Sequence, residues 1–432
     1  MKTGKILLPL IAAALWPPLS AETWTYADCV EYARLNNIQL QKARLNEQTA
    51  GYNLEEAEGS WQPTLDFATS HSLSNSPWGF GNKNSYSGNY GLNASWTVWN
   101  GGVRENTISK DRLQLERSRL TTGSMFRTIE TDLLQVYINL LYARESISIC
   151  RSAVTLSEKQ AERARLLMEG GKMSRVDYAQ LNSQWEQDKY SLVNAEATYE
   201  TRCQELKKLL QLGLESSVTP AEVNWTDSQV LAELPSMTES YELARAIDLD
   251  IQGLELDSQA ADYDLKIARA GRLPKISLNA GVNTGTYSPG DAFFNGLKRG
   301  LNEQIGVSVS VPIFDGRKTK TATARANVAR QEAALNISDR ETELQHLIET
   351  WYTDTSSAQA RYKAALSQLE SARLTDELTD ERFSLGYINP VELLTAHNAL
   401  TEARHAVLQA KCMAMLGQKM IEYYRTAKVE IN

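Results

Sequence analysis

The chain has 432 residues, with 53 acidic side chains against 45 basic ones for a formal net charge of −8, and 42% of it is hydrophobic. That length could fill two or three ordinary domains, and an acidic balance with no basic run interleaved with aromatics argues against a nucleic-acid partner. Its four cysteines, Cys29, Cys150, Cys203 and Cys412, are scattered through helical patterns and read as small apolar core residues rather than a disulfide framework.

Residues 1–21 have the form of an export signal, with Lys2 and Lys5 as the positive end, Ile6 to Trp16 as the apolar core and Leu19-Ser20-Ala21 as the cleavage region. No cysteine stands there to carry a lipid anchor. Beyond Ala21 no run approaches the ~20 apolar residues of a transmembrane helix, so any passage through a membrane has to be made by strands.

Tyr26 to Ser60 reads as a helix, ended by Pro63. The period then changes from that of a helix to two: Leu65, Phe67 and Leu73 alternate with Asp66, Ser70 and Ser72. A turn-rich segment from Ser74 to Asn84 follows, and then Tyr86, Tyr90, Leu92, Ala94, Trp96 and Val98 oppose Ser87, Asn89, Asn93, Ser95 and Thr97. This predicts a β-hairpin over residues 64–99 with a long loop. Asn100-Gly101-Gly102 closes it, a long helix covers 103–168, Gly170-Gly171 breaks that helix, and Ser174 caps another that runs to 212 with Asp177 in its first turn.

After a linker at 216–238 carrying Pro220 and Pro235, the chain repeats itself. Ala33-Arg34 returns as Ala244-Arg245, Tyr52 as Tyr263 and Pro63 as Pro274, each 211 positions later; Gly101 returns as Gly316 and Gly171 as Gly386, each 215 positions later. The second hairpin has gained four residues, and everything else keeps register. The plan is a first structural repeat at 22–215 and a second at 239–432, the latter holding a helix, a hairpin at 275–314, a long helix at 317–385 and a helix at 390–427.

Arg317 to Leu385 contains neither glycine nor proline, and as one helix it would be roughly 100 Å long. Leu344, Ile348, Trp351, Thr355, Ala358, Tyr362, Ala365, Leu369 and Ala372 step along it in fours and threes, the seam of a coiled coil that needs partners throughout. In each repeat the two shorter helices sum to nearly the length of the long one, so stacking them end to end beside it makes a rod, with strands at one end and glycine turns at the other. Four strands with one apolar and one polar face match transmembrane β-strands, and an open sheet of four cannot stand alone in lipid. Several chains must pool their strands.

At this point the sequence resembles the TolC-type outer membrane efflux proteins of Gram-negative bacteria, over essentially the whole mature chain. The resemblance rests on Trp61-Gln62-Pro63 and Arg272-Leu273-Pro274 before each hairpin, on Trp99-Asn100-Gly101-Gly102 and Phe314-Asp315-Gly316 after it, and on the tip segments Gly171 to Asp177 and Gly386 to Leu394. It implies a mostly α fold with a small β part, in which duplicated antiparallel helical hairpins form a periplasmic α-barrel and four strands per chain complete a 12-stranded β-barrel in a homotrimer. It also implies an outer membrane location with most of the chain in the periplasm. Its partners would be a periplasmic adaptor, an inner-membrane pump of the RND, ABC or MFS class, and outer membrane lipid. The tip residues Gly171, Asp177, Gly386 and Glu392 would form the entrance, and Pro63, Gly101, Pro274 and Gly316 would bound the strands. The family's best-known member carries a basic residue two positions after the second tip glycine to latch the entrance; here that position is Ile388, which leaves other groups such as Arg382 or Arg175 for that task.

No enzyme chemistry is expected. The histidines have no metal-ligand spacing, His397 and His405 read as solvated surface residues, no glycine-rich phosphate loop occurs, and no cofactor is implied. Two functions stay open: the outer membrane channel of a tripartite efflux or type I secretion system, which the strands favour, and an exported coiled-coil structural or adhesive stalk.

Overall fold

A computed structural model describes residues 23–75, 77–78, 84–287 and 297–431. The export signal and most of both hairpin loops lie outside the described residues. In chain order the elements are β1 (Thr23–Trp24), α1 (Tyr26–Asn36), α2 (Ile38–Gly59), β2 (Thr64–Asn75), β3 (Asn84–Trp99), α3 (Val103–Glu169), α4 (Arg175–Leu210), β4 (Thr219–Pro220), α5 (Asp227–Val230), α6 (Met237–Ile247), α7 (Leu249–Ala270), β5 (Lys275–Tyr287), β6 (Asn302–Ser310), α8 (Lys318–Ser384) and α9 (Pro390–Thr426). The fold is mostly helical. Its contacts divide the described residues into two units, each drawing on both sequence repeats: one within residues 23–39, 126–247 and 345–431, the other within residues 40–125 and 248–344.

The first unit is helical. Leu133, Leu134, Tyr137, Ile138 and Leu140 of α3, Leu206 and Leu210 of α4 and Ala403, Ala414 and Met415 of α9 form its buried core. Along the α8 seam Ile348, Thr355, Ala358, Tyr362 and Ala365 are buried, with Thr355 and Tyr362 at 0% and 1% exposure, while Trp351 is half-buried. Gly417 of α9 faces Thr355 so closely that a Cβ there would strike its hydroxyl. The segment between the repeats packs tightly. Val218, Trp225 and Val230 are buried, and its carbonyls take side-chain donors in place of a ladder: Gln359 and Gln418 donate to Val230 O, and Arg144 donates to Pro220 O. β1 and β4 add a short parallel pair, and Tyr137 donates to Trp24 O at 3.0 Å. All four cysteines are free and buried.

The second unit holds an antiparallel sheet in the order β2-β3-β5-β6 and the helical segments beside it. Antiparallel pairing puts opposed residues on one face. Phe67, Leu92 and Val282 share one row, and Ala280 with Ile305 and Leu278 with Val307 continue the apolar face. A register shift between Thr97 and Trp99 brings Trp99 opposite Ile276. The other face is polar and flat. Asn93 lies opposite Gly281 and Asn283 opposite Gly91, and a Cβ on either glycine would collide with asparagine amides. Among the described strand residues that face carries only Asp66 and Lys275 as charges. The helical segments of this unit are tied by ion pairs, among them Lys110 to Asp264 at 2.8 Å and Arg117 to Asp257 at 2.9 Å.

Three expectations need correction. The predicted helix from Tyr26 to Ser60 is two helices, because Asn37 is extended (φ −65°, ψ 123°), its carboxamide oxygen accepts the Gln39 N–H at 2.8 Å and its Nδ2 donates to Leu209 O. The second repeat breaks at Asp248, 211 positions later, where the carboxylate accepts the N–H groups of Asp250 and Ile251. The last strand stops at Ser310 rather than continuing through Ile313: Ser310 pairs with Lys275, the first residue of β5, and Pro312 has no N–H to give a ladder.

Candidate functional site

The tip segments lie in the helical unit, and both are built the same way. After α3, the Gly171 N–H donates to Met168 O at 3.0 Å and the Lys172 N–H to Leu167 O at 2.8 Å; after α8, Gly386 donates to Phe383 O at 3.0 Å and Tyr387 to Arg382 O at 3.0 Å. These are Schellman closures, which require a left-handed residue just past the helix, and the two glycines supply it at φ +71° and +79°. Each turn then opens a helix with a side-chain cap. Ser174 Oγ accepts the Asp177 N–H at 3.0 Å, and Asn389 Oδ1 accepts the Glu392 N–H at 3.0 Å. Pro390 takes the first helical position, where its missing N–H would have no partner anyway.

Behind the turns Ala164, Leu181 and Leu393 form a buried apolar cluster against which Met173, Tyr178, Phe383 and Leu394 pack. Arg163 of α3 donates to Ser384 O, the last residue of α8, placing a cation on a helix C-terminus. Sequence reading misses this tie, because nothing local in α3 marks Arg163 as reaching another helix. Asp177 is half-buried, whereas Glu392, Arg175 and Arg382 are exposed. Among the described residues none of these four side chains makes an ion pair within the chain, so neither Arg382 nor Arg175 latches anything inside one copy.

His397 is not a solvated surface residue. It is 3% exposed, and its Nδ1 bonds Asp376 of α8 at 3.1 Å. Asp376 is thereby turned toward α9, while Glu377, Asp380 and Glu381 on the same helix are exposed. His405 is half-buried, and burial pushes its imidazole down from the usual range.

In the sheet unit, Pro63 directly precedes β2 and Pro274 directly precedes β5, while Gly101 and Gly316, at φ +73° and +62°, lie between the last strand of each hairpin and the long helix. Trp61 stacks under the Arg104 guanidinium, and Trp96 Nε1 donates to Trp61 O at 2.9 Å, pinning the first strand boundary. Among the described residues no helix is long and apolar enough to cross a membrane. The strands do present an apolar face: Phe67, Val307 and Ile305 are 68%, 69% and 79% exposed. Among the described residues β2 and β6 each leave one edge unpaired.

The family model for outer membrane efflux proteins matches residues 29–211 and 240–413. The chain is 21% identical over 420 residues to the outer membrane protein TolC of Vibrio cholerae, covering 94% of this chain and 92% of that one. It is 23% identical over 326 residues to the alkaline protease secretion protein AprF of Pseudomonas aeruginosa, covering 75% of this chain but only 64% of that relative's length. Among solved structures it superposes on CusC, described as forming a transmembrane channel, with a TM-score of 0.77 at 19% identity over 95% of this chain and 94% of that one. The chain belongs to the outer membrane efflux protein family, and it is an efflux or secretion channel of the outer membrane.

Proposed function

We propose that three copies of this chain form one passive conduit: their strands close into a 12-stranded barrel through the outer membrane, and their helices form a periplasmic tube. The observation that carries this reading is the sheet. It has two unpaired edges and an exposed apolar face, and in lipid every backbone donor and acceptor has to be satisfied inside the protein. Two chains would give eight strands, a barrel just filled by its side chains; twelve leave an open lumen. The chain itself would catalyse nothing, and export would be driven by an inner-membrane pump of the RND, ABC or MFS class.

The turns at Gly171 and Gly386 are the receiving end for a periplasmic adaptor, since a pair of capped helix ends suits end-on contact with another helical hairpin. Glu392, exposed in its turn, contributes one carboxylate per chain to the entrance, and Asp177 holds the matching position of the first turn. Like charges converging there attract cations and would be held shut by Arg382 or Arg175 across chain boundaries.

Single-channel recording in planar bilayers tests this reading. The purified protein is expected to give cation-preferring channels blocked by a trivalent cation, and Glu392→Gln is expected to weaken both properties. No channel activity from trimers would sink the conduit; unchanged selectivity and block in the variant would remove Glu392 from the entrance.

A further inference from the structure

The apolar face of the sheet carries one carboxylate and one imidazole. Pairing sets Glu303 opposite Val282, Val282 opposite Leu92 and Leu92 opposite Phe67, so the exposed Glu303 continues the Phe67 row. His71 stands further along β2 on the same face, exposed, with Nδ1 2.8 Å from the Tyr86 hydroxyl and Nε2 3.2 Å from Thr69 Oγ1. Among the described residues of the four strands, no other Asp, Glu, His, Lys or Arg lies on that face. These two sit on β6 and β2, the strands with an unpaired edge. Glu303 has no ion pair or side-chain hydrogen bond within the copy among the described residues. On a face turned to lipid, a carboxylate without a partner is costly.

In the three-copy barrel proposed above, a reading on which the register below rests, β6 of one copy runs antiparallel beside β2 of the next. Each copy spans four strand spacings, about 19 Å, and a tilt of about 35–45° then displaces the partner at the seam from the straight row by about four to six residues. The displacement has to be even, or the apolar face of one copy would continue into the polar face of the next. Toward the start of β2 it runs off the strand, which begins at Thr64. In the other direction it carries the Glu303 row from Phe67 to His71 or to Leu73.

Side chains choose between the two. The shorter shift sets Glu303 opposite His71, Val307 opposite Phe67 and Val309 opposite Leu65, and pairs the whole of β6 with residues 64–72. The longer shift leaves the carboxylate against Leu73 and the imidazole against Ile305. We propose that Glu303 of one copy and His71 of the next meet across each seam and fix the register in which the copies join. The Tyr86 hydroxyl donates to Nδ1, and the Nε2 proton goes to the Glu303 carboxylate, an opposed cross-strand pair on the apolar face.

Engineered cysteines read the register in the full-length protein in detergent. Opposed positions bring Cβ atoms to about 4.5–5.5 Å and diagonal ones to about 7–8 Å, so only opposed pairs oxidise readily. Phe67→Cys with Val307→Cys is expected to form covalent trimers, and Thr69→Cys with Val307→Cys, opposed only in the longer shift, several-fold fewer; the native cysteines are buried. A second measurement uses no cysteine. His71→Gln and Glu303→Gln should each lower the temperature at which trimers dissociate in SDS, and the double variant should fall no further than the weaker single. Trimers that cross-link faster through Thr69→Cys, trimers that cross-link through neither pair, or additive losses in the double variant would overturn the register alone. Monomers or dimers by mass in the unmodified protein would overturn the three-copy reading and the register with it.

Discussion

The turn after α3 and the turn after α8 are the same backbone with different chemistry on it. Both close with a glycine in the left-handed region, and among the described residues, chain neighbours aside, no atom comes within 4 Å of where a Cβ would stand on either, so backbone angle rather than space keeps the glycine. Both open the next helix with a capped third amide. Between those fixed points the copies part: Lys172, Met173 and Arg175 in the first become Tyr387, Ile388 and Pro390 in the second. Duplication preserved what the backbone needs and left the exposed side chains free, so one turn offers cations and the other an aromatic ring.

The helix breaks show the opposite divergence. Asn37 and Asp248 occupy equivalent positions, but Asn37 bonds a carbonyl of α4, whereas Asp248 also meets Arg340 of α8 at 3.1 Å. The comparison is tested most severely here. Asp248→Ala removes a cap and one of the two carboxylates on Arg340 Nη2, which keeps Asp250 at 3.2 Å, and is expected to cost about 2–3 kcal/mol. Asn37→Ala should cost about 1–2 kcal/mol. Denaturant unfolding followed by helical dichroism measures both, and equal losses would show that the Arg340 pair contributes nothing.

A smaller effect is expected at the turns. Gly171→Val and Gly386→Val force a β-branched residue into the left-handed region, at about 1–2 kcal/mol each. Because both glycines stand in open space, the loss should stay local, appearing as faster amide exchange around residues 165–180 and 380–395 while trimers persist. Adaptor binding should fall in the same variants; loss of trimers would show that the turns support assembly instead. The smallest effect sharpens the equivalence. Arg175→Pro copies Pro390 into the first turn, and Ser174, at φ −72° and ψ 153°, already has the conformation a residue before proline prefers. Stability should hold or rise by about 0.5 kcal/mol; a loss beyond 1 kcal/mol would mean the two turns differ in backbone after all.

Much of this architecture is written in punctuation. Glycine and proline positions delimit the long helices, a change of period marks the strands, and six of the nine seam positions, from Leu344 to Ala365, are buried, whereas Trp351, Leu369 and Ala372 are half-buried. What escapes is carried by single polar residues. Asn37 and Asp248 interrupt helices without any breaker, and the usable signal is that both repeats place an Asn or Asp at the same offset just before an apolar residue, Ile38 and Leu249. The burial of His397 depends on Asp376 in another helix, which no periodicity reveals. Alternation overran β6 because the pattern records which residues are apolar, whereas a strand ends where its neighbour does. At the tip, the Ser174 cap was legible; the Asn389 cap and the tie from Arg163 to α8 come only from the structure.

The asparagines lying over Gly91 and Gly281 bear on how a cargo travels. A face of amides and hydroxyls, smoothed by glycine and nearly free of fixed charge, exchanges one neutral hydrogen bond for the next with anything sliding along it. Such a wall has low friction and no preferred stopping place, because a passing solute loses at each step about what it gains. With the polar face lining the proposed lumen, resistance to flow would gather at the proposed Glu392 entrance, and the strands would act as a barrel wall that does not sort.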